Sequence, residues 1–305
     1  MNSSVFIRVH PWLHIHAALW FCVLWAGVTL AQPMQSLQQR LDAAAAGAVI
    51  EIPAGTYTGN LVISGPLTLQ GRGEVVLDGN GSGDVIRVKA PDVSISGLTI
   101  RDSGRNLTDM NAGIFAEPKA ENLSVIDNDF DNVAFGIWLD GCNGPRIVGN
   151  RIHGARELRS QDRGNGVHLF DVRDGLVKGN RIHATRDGIY IDTSRHNRLE
   201  GNVMEELRYG IHYMYSYHNQ VIGNHTRNTR TGYALMQSKY LEVRDNVSEN
   251  DRNYGMLMNY IVSSEISGNR VVGTRTGRAF ATGGADVAGA EGKAMFIYNS
   301  QYNEI

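Results

Sequence analysis

Apolar and polar residues alternate along this chain in short runs, and the runs recur. Gly188-Ile-Tyr-Ile-Asp-Thr-Ser-Arg-His-Asn-Arg-Leu-Glu-Gly-Asn202 matches Gly210-Ile-His-Tyr-Met-Tyr-Ser-Tyr-His-Asn-Gln-Val-Ile-Gly-Asn224 at an offset of 22 residues. A leading glycine returns as Gly113, Gly136, Gly166, Gly188, Gly210, Gly232 and Gly255, with Ala294 in its place in the last unit. A second marker returns as Asp127-Asn128, Gly149-Asn150, Gly179-Asn180, Gly201-Asn202, Gly223-Asn224, Asp245-Asn246 and Gly268-Asn269. Alternation between the markers predicts short strands, broken by Gly and Asn, which tolerate left-handed backbone angles. No segment inside the unit holds a 3.6-residue period, which excludes helical repeats. One unit cannot bury its apolar face alone, but stacked units can. The pattern therefore predicts an all-β chain folded as a right-handed parallel β-helix, a pectin-lyase-like solenoid. Asn128 through Asn269 would form one side-chain ladder along the stack, and Asn197, Asn219 and Asn303 would begin another.

The ends of the chain read differently. Met34 to Ala46 has Leu37 and Leu41 on one face and predicts a short helix that caps the open end of the stack. Ala48 to Tyr57 reads as the first coil. Residues 1–31 read as a signal peptide: Arg8, an apolar run from Ala17 to Val28, then small residues at Thr29-Leu30-Ala31. That run is short for a membrane span, and Gln32 and Pro33 follow at once, so export to the periplasm is the expectation. Residues 32–305 form the β-helix domain. Ile305 falls inside a coil with no polar cap after it, which suggests a chain cut short at that end.

Composition narrows the function. The chain has 29 basic and 31 acidic residues among 305, so nothing favours nucleic acid or an anionic membrane surface. Glycine (35) far outnumbers proline (7), as tight turns in a regular structure require. Of the two cysteines, Cys22 lies in the signal segment, so the remaining Cys142 has no internal disulfide partner and reads as a small buried residue at a turn.

The irregularities say more than the repeat. From the leading glycine to the second marker is 13 residues in almost every coil, and the return is normally 9. The return lengthens to 16 from Gly97 to Gly113, 17 from Gly149 to Gly166 and 26 from Gly268 to Ala294. The extra segments, Glu157–Arg163 and Thr282–Asp286 among them, thus enter at one point of the coil and would protrude on one side. Beside that point the residues second after the glycine face outward: Phe115, Trp138, His168, Tyr190, His212, Ala234 and Leu257. So do the fourth: Glu117, Asp140, Phe170, Asp192, Met214, Met236 and Asn259. Histidine and methionine together are soft ligands suited to Cu(I). The candidate metal ligands are His168, His212, Met214 and Met236, with Met258 weaker. Strict register points Met258 inward, but its coil has one extra residue before the glycine and leaves the facing open. The same stripe also reads as a hydrophobic contact surface for a partner protein. A carbohydrate-binding or carbohydrate-active β-helix, lyase- or epimerase-like, is the other class. Glycoside hydrolysis needs two carboxylates facing one bond, and Asp140 and Asp192 are two coils apart with Phe170 between them. The chain therefore reads as a non-enzyme.

Several long strings resemble the NosD family. They are Arg163-Gly-Asn-Gly-Val-His-Leu-Phe170, Arg186-Asp-Gly-Ile-Tyr-Ile-Asp-Thr-Ser194, Leu207-Arg-Tyr-Gly-Ile-His-Tyr-Met-Tyr-Ser216, Thr229-Arg-Thr-Gly-Tyr-Ala-Leu-Met-Gln-Ser238, Asn253-Tyr-Gly-Met-Leu-Met-Asn-Tyr-Ile261 and Glu291-Gly-Lys-Ala-Met-Phe-Ile-Tyr-Asn-Ser300. The resemblance covers nearly the whole mature chain. It implies a periplasmic accessory protein that serves maturation of the copper sites of nitrous oxide reductase. Its partners would be an inner-membrane ABC transporter, a copper-chaperone lipoprotein and the reductase itself. Members of the family continue past the point where this chain stops, so the part implied to contact the transporter is missing.

Overall fold

The structure is a computed structural model that describes residues 32–275 and 292–305. The proposed signal segment and the Thr282–Asp286 loop lie outside the described residues. Within them the chain is a parallel β-solenoid. Each full coil contributes three strands, one to each of three stacked ladders. The coil around Asn202 shows the pattern: Asp187–Asp192, then Arg198–Glu200, then Val203–Glu205. Strands like Asp187–Asp192 build a sheet of ten, from Leu61–Ile63 at one end to Lys293–Tyr298 at the other. All these neighbours pair in parallel, with Ile189 opposite Ile211 and Arg198 opposite Gln220, 22 residues on. The predicted period is thus the coil.

The alternation sets the interior. Ile114, Ile137, Val167, Ile189 and Ile211 stack one above the other in a continuous apolar core. The turn between the second and third ladders is closed by the predicted asparagines. From Asn128 to Asn246 the side chains are buried. Each amide donates to the next asparagine's oxygen, as in Asn180 to Asn202 at 2.9 Å, and to a backbone carbonyl such as Ile147 O. Each oxygen also accepts the backbone N–H of the asparagine one coil earlier. These bonds pair groups that would otherwise be buried and unsatisfied. The second predicted ladder is real between Asn197 and Asn219. It does not run on unbroken to Asn303: Ser264 takes the acceptor role for Leu241 N, and Asn303 serves Ser264 N. A serine ladder that the sequence reading did not anticipate stands beside it, with Ser194, Ser216 and Ser238 each accepting a backbone N–H from the coil before.

The capping helix is Met34–Asp42, four residues shorter than expected. Leu37 and Leu41 are buried against the core, and the Gln38 side chain bonds both the N–H and the C=O of Val62, a strand edge the helix covers. The insertions leave the third ladder just before the ten-stranded sheet: between Arg101 and Ala112, and between Gly154 and Val167. Both described loops therefore rise beside the same face. No helix among the described residues is long and apolar enough to cross a membrane.

Candidate functional site

The leading glycines shape this face. A Cβ on Gly188 would sit 2.6 Å from the Gly210 carbonyl oxygen, and one on Gly136 would sit 2.4 Å from that of Gly166. Consecutive coils approach too closely there for any side chain. The chain bends at each glycine, and the paired register skips it. As a result the residue before the glycine and the second residue after it open on the same side. Asn165 joins His168, Asp187 joins Tyr190, and Tyr209 joins His212.

The second-position residues form one ladder of rings. Phe115 and Trp138 are stacked with centroids 6.2 Å apart. Trp138 and His168 are 3.7 Å apart, His168 and Tyr190 4.6 Å, and Tyr190 and His212 4.6 Å. The two insertions wall this row into a cleft of about 620 Å³, with Leu107 and Met110 contributed by one loop and Arg163 by the other. The Arg163 guanidinium donates to the carbonyls of Arg156 and Leu158 and so fixes its own loop.

A charged cluster lies at one end of the cleft. Asp187 is fully buried and takes a two-pronged ion pair from Arg208. The Nδ1 of His212 stands 3.0 Å from Oδ2 of the same carboxylate, the oxygen that also accepts from the Arg208 terminal nitrogen. Burial opposes ionising Asp187, but its hydrogen bonds with His212 and Arg208 outweigh that and hold it at about 2. An ionised carboxylate requires the His212 Nδ1 to carry its proton and donate it. The Nε2 lone pair then has no hydrogen-bond partner among the described residues. This carboxylate–histidine pairing is how proteins fix a tautomer and present Nε2 to a metal.

His168 behaves differently. Its Nδ1 lies 3.2 Å from the Asn165 amide nitrogen. Burial pushes its pKa down to about 3, so the ring is neutral in the folded protein. The unfolded chain takes up that proton near the ordinary value of 6.5. Between these values the unfolded state binds more protons, so stability is full above pH 6.5 and falls as pH drops towards 3. The expected loss from this one group is on the order of 4 kcal/mol by pH 3. His168→Phe should flatten the wild-type decline in urea-derived stability between pH 6.5 and 4; an unchanged slope would contradict the neutral, buried ring.

The predicted ligands do not all come together. His168 and His212 sit on alternate coils with the Tyr190 ring between them, about 9.6 Å apart at the usual strand spacing. They cannot share one ion. Met214 lies two residues along the strand from His212 and pairs in register with Asp192. Met236 occupies the same position one coil on and pairs with Asn259. Both are half-buried at the strand end, beyond the residues that line the cleft. Met258 is corrected: it is fully buried in the apolar core with Met256. The extra residue of that coil is absorbed between the pairs Arg227–Glu249 and Thr231–Tyr254, before the strand, so register is restored. Cys142 is buried too, with its thiol pushed up to about 12 by burial, and offers no thiolate. Among the described residues no group of three or more His, Cys, Asp or Glu is placed to hold a metal. Sequence reasoning missed Asp187 and Arg208, because alternation was counted only forward from each glycine.

Fold and site together define a parallel β-solenoid with a loop-walled cleft on one face. Similar solenoids include a family 28 exopolygalacturonase from Yersinia enterocolitica, at TM-score 0.65 and 13% identity, covering 89% of this chain and 68% of that one. Another is tailspike protein 2 of bacteriophage CBA120, at TM-score 0.61 and 12% identity, covering 87% and 43%. At such identities the likeness concerns the fold alone. The chain belongs to the NosD family: residues 148–305 match the family described as "Periplasmic copper-binding protein (NosD)". It is 51% identical over 275 residues to a "Probable ABC transporter binding protein NosD" of Pseudomonas aeruginosa, covering 90% of this chain and 63% of that protein. A protein of the same description from Stutzerimonas stutzeri is 48% identical over 255 residues, covering 83% and 58%. The chain thus spans about three-fifths of the length of these relatives.

Proposed function

We propose that this chain is the periplasmic part of a copper-handling accessory protein for nitrous oxide reductase, and that Cu(I) is its cargo. The single observation that carries the reading is the Asp187–His212 pair, which leaves the His212 Nε2 unbonded two residues from Met214. Met214 and Met236 hold equivalent positions on adjacent coils, so one nitrogen and two thioethers can face one another. His168, two coils away, belongs to a different part of the cleft. Met258 does not take part. The family's description as periplasmic and copper-binding supports the place and the cargo. The relatives' description as ABC transporter binding proteins supports an inner-membrane ABC transporter as one partner. A copper-chaperone lipoprotein that loads the site and nitrous oxide reductase that receives from it complete the proposal. A single carboxylate–histidine–thioether site suits transfer better than storage, because few ligands exchange readily.

Competitive titration with a Cu(I) chelator under reducing conditions tests this. Wild-type protein should bind one Cu(I) per chain, and His212→Ala with Met214→Ala should weaken binding by about 100-fold or more. Equal affinity in the double variant would overturn the ligand assignment.

A further inference from the structure

The cleft holds more than the copper proposal uses. Three arginines line it, and two are committed: Arg208 to Asp187, and Arg163 to the carbonyls of its own loop. The guanidinium of Arg186 has no carboxylate or hydrogen-bond partner among the described residues, and its Nε is buried. The Oδ1 of Asn165, a residue only 7% exposed, is likewise buried and unbonded. Both residues line the cleft. A buried donor and a buried acceptor left open at one place cost stability unless a ligand completes them.

The outer edge of the cleft adds a second pattern. Asp140, Phe170 and Asp192 occupy the same strand position on three successive coils. Phe170 is 42% exposed, although it lies between strands of the buried sheet. Neither carboxylate has a cationic partner among the described residues. They stand about 9.6 Å apart, one strand spacing on each side of the ring, too far to share a cation. A bare apolar ring between two carboxylates without a counter-ion, of which Asp192 accepts only the Thr193 hydroxyl, suits a ligand with an apolar face and hydroxyl donors at its edges. The uncommitted cation at Arg186 adds one requirement, an anionic group on the same ligand.

We propose that this cleft binds an acidic saccharide, a short chain of uronic acid residues. The carboxylate pairs with Arg186, one pyranose face rests on Phe170, and hydroxyls donate to Asp140, Asp192 and the Asn165 oxygen. A simple anion would leave Phe170 and both aspartates unused, and a neutral sugar would leave Arg186 unpaired. The volume of about 620 Å³ lies within the usual range of ligand pockets, about 300–1,000 Å³. The inference does not depend on copper: neither Arg186 nor Phe170 is among the residues assigned to the metal, although they line the same cleft as His212 and Asp192 pairs in register with Met214.

Isothermal titration of the folded protein tests it, with trisaccharides of galacturonate, glucuronate and mannuronate as probes and neutral galactotriose as the comparison. At least one acidic probe should bind, at least about tenfold more tightly than galactotriose. Arg186→Met should weaken the acidic probe about tenfold or more and bring it close to the neutral one. Phe170→Ala should weaken both. Both variants should keep the wild-type urea midpoint, and Arg186→Met should bind Cu(I) as wild type does, so that failure here is distinct from failure of the copper reading. The proposal is overturned if no acidic probe binds at millimolar concentration, or if Arg186→Met binds undiminished. It is also overturned if a short oligoglutamate peptide binds as tightly as the best trisaccharide and is insensitive to Phe170→Ala, since the cleft would then read charge alone.

Discussion

Replacing Asp187 with alanine is expected to cost about 3–5 kcal/mol of folding stability and to weaken Cu(I) binding by about 10- to 100-fold. Both effects have one origin. The carboxylate is fully buried and satisfies the half-buried Arg208 guanidinium and the His212 Nδ1–H together. Without it Arg208 is a charge in an apolar setting with no counter-ion, and His212 loses the group that fixes its tautomer. Arg208 also packs over the Tyr209 ring at 4.4 Å, so its displacement would disturb the cleft wall. Asp187→Asn separates the two effects: the side chain keeps its size and one acceptor but not its charge. Its stability loss should be smaller, while the loss of copper affinity should persist. The pH dependence has a definite sign. Because the folded carboxyl is held below its unfolded value, its contribution is complete above about pH 4 and is lost as pH falls towards 2. Chemical unfolding at pH 7 and pH 3 measures both. An Asp187→Ala protein as stable as wild type at pH 7 would contradict the buried ion pair.

The second large effect is at the coil bend. Gly210→Val should cost at least about 3 kcal/mol, enough to leave much of the chain unfolded or insoluble. Even the first added atom would lie 2.2 Å from the Thr226 side chain and 2.6 Å from the Gly232 carbonyl oxygen, and the carbonyl belongs to the next coil's backbone. Nothing there can yield without separating two coils. Gly201 is the contrast. Its φ of +63° calls for glycine or asparagine, but nothing lies within 4 Å of an added Cβ. Gly201→Asn should therefore change the urea midpoint little, since Asp127 and Asp245 already adopt this left-handed conformation at the equivalent marker position, and asparagine tolerates it as aspartate does. A Gly210→Val protein with the wild-type urea midpoint would contradict coil contact as the reason for glycine there.

Much of the fold was legible because each coil repeats its own punctuation. The Gly-Asn markers are the turn and the ladder, and the alternation between them sorts side chains inward and outward without ambiguity. The entry point of the insertions was legible for the same reason, as a change of spacing at one phase of the repeat. The site was half legible. His212, Met214 and Met236 do lie on the outer face, because two-residue alternation holds beyond the glycine. Asp187 escaped because the bend at Gly188 breaks that alternation, which puts the residues on both sides of the bend on one face. His168 and His212 were grouped by residue type, whereas only stacking order shows that Tyr190 separates them. The facing of Met258 depended on where one extra residue is absorbed, and a sequence does not say which turn takes it up. The serine ladder was hidden because Ser194, Ser216 and Ser238 read as ordinary turn residues until their hydroxyls are seen accepting from the coil before.

X-ray absorption at the copper edge, on protein loaded with one equivalent of Cu(I), tests the central claim most directly. The account predicts a first coordination shell of one imidazole nitrogen and two thioether sulfurs. The nitrogen contribution should vanish in His212→Ala, and one sulfur contribution in Met236→Ala. A shell of nitrogen and oxygen alone, or one unchanged in both variants, would contradict it.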